Sequence, residues 1–231
     1  MRIGGFQKLT LLDYPDKTAC IIFTQGCNFN CSYCHNSELI PCCAGETSEN
    51  VIFDYLDKRK NLLDGVVISG GEPTIQKDLV HFIRLIKEKG FSVKLDTNGT
   101  NPIVLKELVD EKLVDYIAMD IKTIFDEYEN ITKCSVNIKN IKKSVELIKN
   151  SGIDYEFRTT IIKDFHDIDK ILKLCESFKE KYYIQNFKLS ENVQDQLLKS
   201  FSEDELKKLE KILKERFPNV NIRGEWGDKY V

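Results

Sequence analysis

The sequence has no long apolar run. Its most hydrophobic stretches, 19-ACIIF-23 and 65-GVVI-68, are far too short to cross a bilayer, which takes a helix of about 20 residues. The N-terminal MRIGGFQKLTLLDYPD lacks the apolar core of a secretory leader, so the cytoplasm is the expected location and no membrane partner is expected. Blocks of like charge are missing too. There are 34 Lys and Arg against 37 Asp and Glu, a net charge of −3. Nothing supplies the basic face that a sequence-independent grip on nucleic acid requires. No Pro/Gly/Ser-rich linker, internal repeat or low-complexity tract divides the chain. With 42% hydrophobic and 31% charged residues, the 231 residues read as one globular domain spanning 1–231.

Cysteine is what the sequence has in quantity: eight residues. A disulfide framework belongs to small secreted domains, so metal or redox chemistry is the expectation. Three of the eight stand together in 26-GCNFNCSYCHN-36, as Cys27, Cys31 and Cys34 with C-x3-C-x2-C spacing. Thiolates are soft ligands that suit zinc or iron–sulfur clusters. Three of them can hold three corners of a cubane and leave the fourth iron open to a small molecule. The competing reading is a zinc knuckle completed by His35 or a distant thiol. Adjacent side chains such as Cys34 and His35 rarely reach one metal comfortably. Of the others, Cys20, Cys134 and Cys175 read as ordinary structural thiols. Cys42 and Cys43 are too few to hold a second cubane.

Short β-branched runs alternate with helical patterns. Strands are expected at 18–25, 65–70, 92–98, 115–122, 155–162 and 184–190, with a shorter seventh at 219–223. In 76–90, Leu79, Phe82, Ile83 and Ile86 form a helical stripe, and 137–152 repeats the pattern. The stretch 202-SEDE-205 reads as a capping box. Strand–helix alternation implies βαβ units and parallel strands. Six or seven units are too few for a closed eight-stranded barrel. The expected fold is therefore α/β, a partial (β/α)6-type TIM-like barrel with the cluster loop after the first strand; an open doubly wound sheet is the competitor. In both, chemistry belongs at the C-terminal strand ends. Polar pieces do follow the apolar runs there: 70-GGEP-73, 96-DTNG-99 and 120-DIK-122, with Arg158 inside the fifth strand and His166 after it.

The motif C-x3-C-x-aromatic-C, with Tyr33 as the aromatic, together with 69-SGGEP-73, resembles the radical S-adenosylmethionine (SAM) enzymes. The resemblance implies one 4Fe–4S cluster on Cys27, Cys31 and Cys34, with SAM chelating the open iron. Reductive cleavage of SAM would yield a 5′-deoxyadenosyl radical that abstracts a hydrogen atom. A closer resemblance is to the activating enzymes of glycyl radical enzymes, above all those of the anaerobic ribonucleoside-triphosphate reductase. It is carried by 9-LTLLDYPDK-17, 25-QGCNFNCSYCHN-36, 69-SGGEPTIQ-76, 95-LDTNGTNP-102, 119-MDIK-122 and 155-YEFRTT-160. Asp16 and Ser37 stand where that family's pattern has Gly and Pro.

Carried over residue by residue, the resemblance implies that the backbone of Gly70 and Gly71 approaches the SAM amino group while Glu72 orients their loop. Tyr33 meets adenine or packs under the cluster loop. Asp96 and Asp120 hold the ribose or a monovalent cation, or make rim salt bridges. Asn98 belongs to the same D-T-N-G element. Lys122 meets the methionyl carboxylate, and Arg158 is functional because an unpaired buried guanidinium is costly. His166 contacts the nucleoside or lies solvated in its loop. The implied partners are a glycyl radical enzyme and a flavodoxin or ferredoxin electron donor. The alternatives are a small-molecule enzyme such as 7-carboxy-7-deazaguanine synthase, a pyruvate formate-lyase activator, and a metal-stabilised binding or electron-transfer module.

Overall fold

The computed structural model describes residues 1–223. Eight strands occur, β1 (Ile3–Thr10), β2 (Ala19–Thr24), β3 (Gly65–Gly70), β4 (Ser92–Thr97), β5 (Tyr116–Asp120), β6 (Asp154–Ile161), β7 (Tyr182–Asn186) and β8 (Val220–Arg223). The α-helices are α1 (Glu49–Arg59), α2 (Leu79–Glu88), α3 (Pro102–Asp110), α4 (Tyr128–Thr132), α5 (Ile138–Asn150), α6 (Ile168–Ser177) and α7 (Glu203–Arg216). The chain forms two compact units interleaved in sequence. The first takes Met1–Asn30, Glu38–Met119 and Asn137–Tyr155; the second takes Cys31–Ser37, Asp120–Val136 and the described residues from Glu156 to Arg223.

In the first unit β2, β3, β4 and β5 pair in parallel, in chain order. Val66, Val67 and Ile68 of β3 are fully buried, as are Val93 and Leu95 of β4, as expected of parallel strands with both faces covered. The predicted stripe of α2 is buried at Leu79, Phe82, Ile83 and Ile86. In the second unit β6, β7 and β8 are again parallel. There α7 starts from the predicted capping box. The Ser202 hydroxyl accepts from the Glu205 N–H, and the Glu205 carboxylate accepts from the Ser202 N–H.

The strand count needs a correction. β1 pairs with β2 antiparallel, so the cluster loop follows the second strand, not the first. The sequence hides β1 because Gly4 and Gly5 interrupt it and its middle, Gln7 to Leu9, is exposed. The helix expected from Gln76 also starts later. Pro73–Ile75 form a short 3₁₀ turn first, and α2 begins at Leu79.

Candidate functional site

In the first unit the cluster loop leaves β2 through a backbone clamp. Gly26 N–H donates to Leu39 O (2.8 Å) and Cys27 N–H to Ile40 O (3.0 Å). The Gln25 amide reaches Glu38 O (3.0 Å) and Pro41 O (2.8 Å), while the Gln76 amide donates to Gln25 O (2.8 Å). The glycine pair after β3 fits against this clamp. Gly70 has φ +107°, and a Cβ there would stand 2.3 Å from Thr24 N; a Cβ on Gly71 would stand 2.1 Å from Gly26 O. Any side chain at either position collides with backbone, so these glycines let the two loops touch.

Glu72 then locks the arrangement. Its N–H donates to Gly26 O (2.9 Å). Its buried carboxylate accepts from Thr74 N–H (3.0 Å), the Thr74 hydroxyl (2.5 Å), the Thr97 hydroxyl (2.7 Å) and Asn98 N–H (2.7 Å). Burial pushes its pKa up, and these donors oppose the shift. Asn98 extends the link to the cluster loop: its amide donates to the Asn28 side chain (2.8 Å), one residue from Cys27. Asp96 accepts from the Ser69 hydroxyl (2.9 Å) and pairs with the buried Lys94 at 2.6 Å, so here it makes the rim salt bridge.

The second unit gathers the remaining candidates. Cys34 N–H donates to Cys31 O (3.1 Å), which closes a turn with Ser32 and Tyr33 at its corners. Asp195 N–H donates to Ser32 O (3.1 Å), and the Ser37 hydroxyl to Asn192 O (2.5 Å). His35 Nε2 lies 2.6 Å from Lys188 O, with its ring stacked on Phe187 at 5.6 Å. It is thus engaged away from the ligand role of a zinc knuckle. Tyr33 is buried, and Lys122 Nζ stands 6.0 Å over its ring.

Asp120 is bonded by Lys122 (3.1 Å) and by Arg158 Nε (2.9 Å). Burial would raise its pKa, but Arg158 and Lys122 hold it well below the usual carboxylate range; burial would lower Lys122, and Asp120 holds it well above its ordinary value. Arg158 is therefore paired. Its other flank is 3.8 Å from Glu156, a buried carboxylate that also binds Arg223 through two bonds of 2.9 and 2.7 Å. His166 is buried, not solvated. Ile162 N–H donates to its Nδ1 (3.1 Å) and its Nε2 is 3.1 Å from Lys122 O, so both ring nitrogens face backbone. Burial pushes its pKa down and favours the neutral ring that this pattern needs.

Sequence reasoning did not single out Asn28, Thr97, Lys94, Glu156 or Arg223. The strand alternation of Glu156 with Arg158, and the adjacency of Asn28 to Cys27, were the available signals. The eight cysteines do not form disulfides with one another. Among the described residues no group of three His, Cys, Asp or Glu side chains is gathered to hold a single metal ion. A cubane instead takes its thiolates at separate corners, and three thiols at C-x3-C-x2-C spacing fit that donor set. Ser32 Oγ, between two of them, is buried without a hydrogen-bond partner. A sulfur-rich group beside it would supply the missing acceptor.

The profile of the radical SAM superfamily matches residues 21–176. The chain belongs to that superfamily, whose enzymes work with a 4Fe–4S cluster and SAM. It is 39% identical over 237 residues, covering 96% of this chain and 95% of the relative, to a Methanocaldococcus jannaschii protein provisionally named a glycyl-radical enzyme activating enzyme. It is 29% identical to the pyruvate formate-lyase-activating enzyme of Clostridium pasteurianum, over 93% of this chain and 97% of that enzyme. Among solved structures, Streptococcus suis SuiB bound to S-adenosylmethionine superimposes with a TM-score of 0.69 at 16% identity, over 87% of this chain and 48% of SuiB. That likeness bears out the α/β, TIM-like class of fold read from the sequence. No helix among the described residues is long and apolar enough to cross a membrane.

Proposed function

We propose that this chain is an activase that installs a radical on a glycine of a partner glycyl radical enzyme, the anaerobic ribonucleoside-triphosphate reductase. The observation that carries the activase reading is the near full-length, 39% identity to a protein provisionally named a glycyl-radical enzyme activating enzyme, with no partner specified. The six motif stretches shared with the reductase activators support the choice of partner. In this reading the whole chain acts as one cytoplasmic radical SAM domain, and a flavodoxin or ferredoxin supplies the electron.

Cys27, Cys31 and Cys34 would hold the 4Fe–4S cluster, which with SAM and one electron from the donor would supply the radical chemistry for taking the glycine Cα hydrogen. The chain's own residues bind and orient. Lys122, kept cationic by Asp120, meets the methionyl carboxylate. Asp120 and Arg158 fix one another, so neither drifts when ligand enters. Asp96 and Asp120 are the candidates for the ribose or a monovalent cation. Gly70 and Gly71 leave their backbone open to the amino group, and Glu72 holds that loop rigid through bonds to Thr74, Thr97 and Asn98. Tyr33 packs beneath the ligands of its own turn, and His166 carries the Lys122 backbone.

The test is electron paramagnetic resonance on the anaerobically reduced protein with SAM and the reductase. A doublet that collapses when glycine is deuterated at Cα, with label appearing in 5′-deoxyadenosine, is expected. Turnover of SAM with no radical on the reductase, but with a small metabolite giving up its hydrogen, would overturn the reading. A second reading keeps the chemistry and changes the partner to pyruvate formate-lyase. The 29% identity to a pyruvate formate-lyase-activating enzyme favours it. The same spectroscopy run with that partner decides between the two.

A further inference from the structure

We propose that the Ser32 hydroxyl donates a hydrogen bond to a sulfur of the bound cluster and thereby raises its reduction potential. Buried hydroxyls almost always have a hydrogen-bond partner. Ser32 Oγ is shielded from solvent and has no partner. Thr159 and Thr132 of the same unit are satisfied, donating to Ile121 O (2.6 Å) and Tyr128 O (2.8 Å), while Thr123 Oγ1 shares the orphaned state but is not part of the cysteine turn. A donor left unmade in a buried place is costly unless a ligand supplies the acceptor.

The position of Ser32 says which ligand. It occupies the first corner of the turn that Cys34 N–H closes onto Cys31 O, so the residues at both ends of its turn are cluster thiolates. Its own carbonyl is already taken by Asp195 N–H (3.1 Å). The next residues are tied as well, His35 to Lys188 O and Phe187, and Ser37 to Asn192 O. The segment 187–195 therefore grips the turn by its backbone and flanks. Thiolates and inorganic sulfides are the acceptors that cluster binding brings to this turn. A hydrogen bond to sulfur stabilises the more negative, reduced cluster more than the oxidised one, which moves the potential upward. Ser32 is thus a tuning residue for electron entry, independent of which partner the enzyme activates.

The inference rests on the cluster assignment, and two readouts keep the failures apart. Iron and sulfide per chain are measured first on the reconstituted protein, then the midpoint potential without SAM. Ser32→Ala is expected to hold wild-type iron with a potential shifted to more negative values. Ser32→Thr, which keeps the hydroxyl, is expected to hold iron at the wild-type potential. An unchanged potential in iron-replete Ser32→Ala overturns the proposal. If Ser32→Ala loses iron while Ser32→Thr retains both iron and potential, the hydroxyl is again implicated. If both variants lose iron, the position reads shape and the proposal fails. A wild-type protein without iron would sink the cluster assignment itself.

Discussion

Glu72 shows what a single residue can and cannot reveal before the fold is known. The sequence places it beside two glycines after a strand, and a role in orienting that loop is legible from there. Its partners are not, because Thr97 and Asn98 come from another strand end more than twenty residues away. In the structure one carboxylate collects four donors from two loops. Glu72→Gln puts an NH2 group against donors and leaves a buried N–H or hydroxyl unmet. Such a loss costs about 1–3 kcal/mol. We expect urea unfolding to report a destabilisation of that size. A variant as stable as wild type would show that the staple contributes nothing. Arg158 gives the converse lesson. Its functional weight was inferred from the cost of an unpaired guanidinium, yet Asp120 pairs it. Only the fold could show that, since the two lie 38 residues apart.

At the scale of elements, local signals were legible and long-range pairing less so. The stripe of α2 and the capping box of α7 depend on neighbours within two turns, and both are found where the pattern puts them. β1 depends on β2 for its definition, and its own residues are too polar and too glycine-rich to announce it. The α7 start also carries a pH signature. Glu205 bonds Lys163 (2.6 Å) and the Ser202 N–H (2.9 Å), and these hold its pKa down to about 2 from the usual 4.5. A depressed carboxylate stabilises the fold above its unfolded pKa. The benefit falls away as the pH drops through the folded value. Glu205→Gln keeps the reach of the capping side chain but removes the charge. The stability gap between wild type and Glu205→Gln should be fully present above about pH 4.5 and closed once the pH has fallen through about 2. A gap that stays constant across that range would assign it to packing instead of charge.

For the whole molecule the decisive question is which of the eight cysteines bind iron. Cys20 and Cys175 are buried within β2 and α6, far apart in the chain from the cysteine turn, and burial pushes both thiols up to about 12. Cys42 and Cys43 are exposed and adjacent, and Cys42 lies against Gly26, where a Cβ would stand 3.0 Å from the Cys42 Sγ. Cys134 stands alone just after α4. Cys27, Cys31 and Cys34 are the proposed donor set, a pattern that can be read in the sequence because it needs no distant partner. A ligand that binds only the folded chain stabilises it by mass action. At an effective excess of about 1,000-fold over Kd the gain is roughly 4 kcal/mol. For a chain of this size each kcal/mol moves Tm by about 2–4 °C, so loading should raise Tm on the order of 10 °C. Chelation of the iron should reverse the rise. Cys27→Ala, Cys31→Ala and Cys34→Ala should each lose both the iron and the rise, while Cys42→Ala and Cys43→Ala should keep both. Calorimetry on anaerobically loaded and stripped samples, with iron assayed on the same material, makes the comparison. Loss of iron in the Cys42 or Cys43 variants, or a Tm indifferent to chelation in wild type, would show that the cluster is held by a different set of thiols or contributes nothing to the fold.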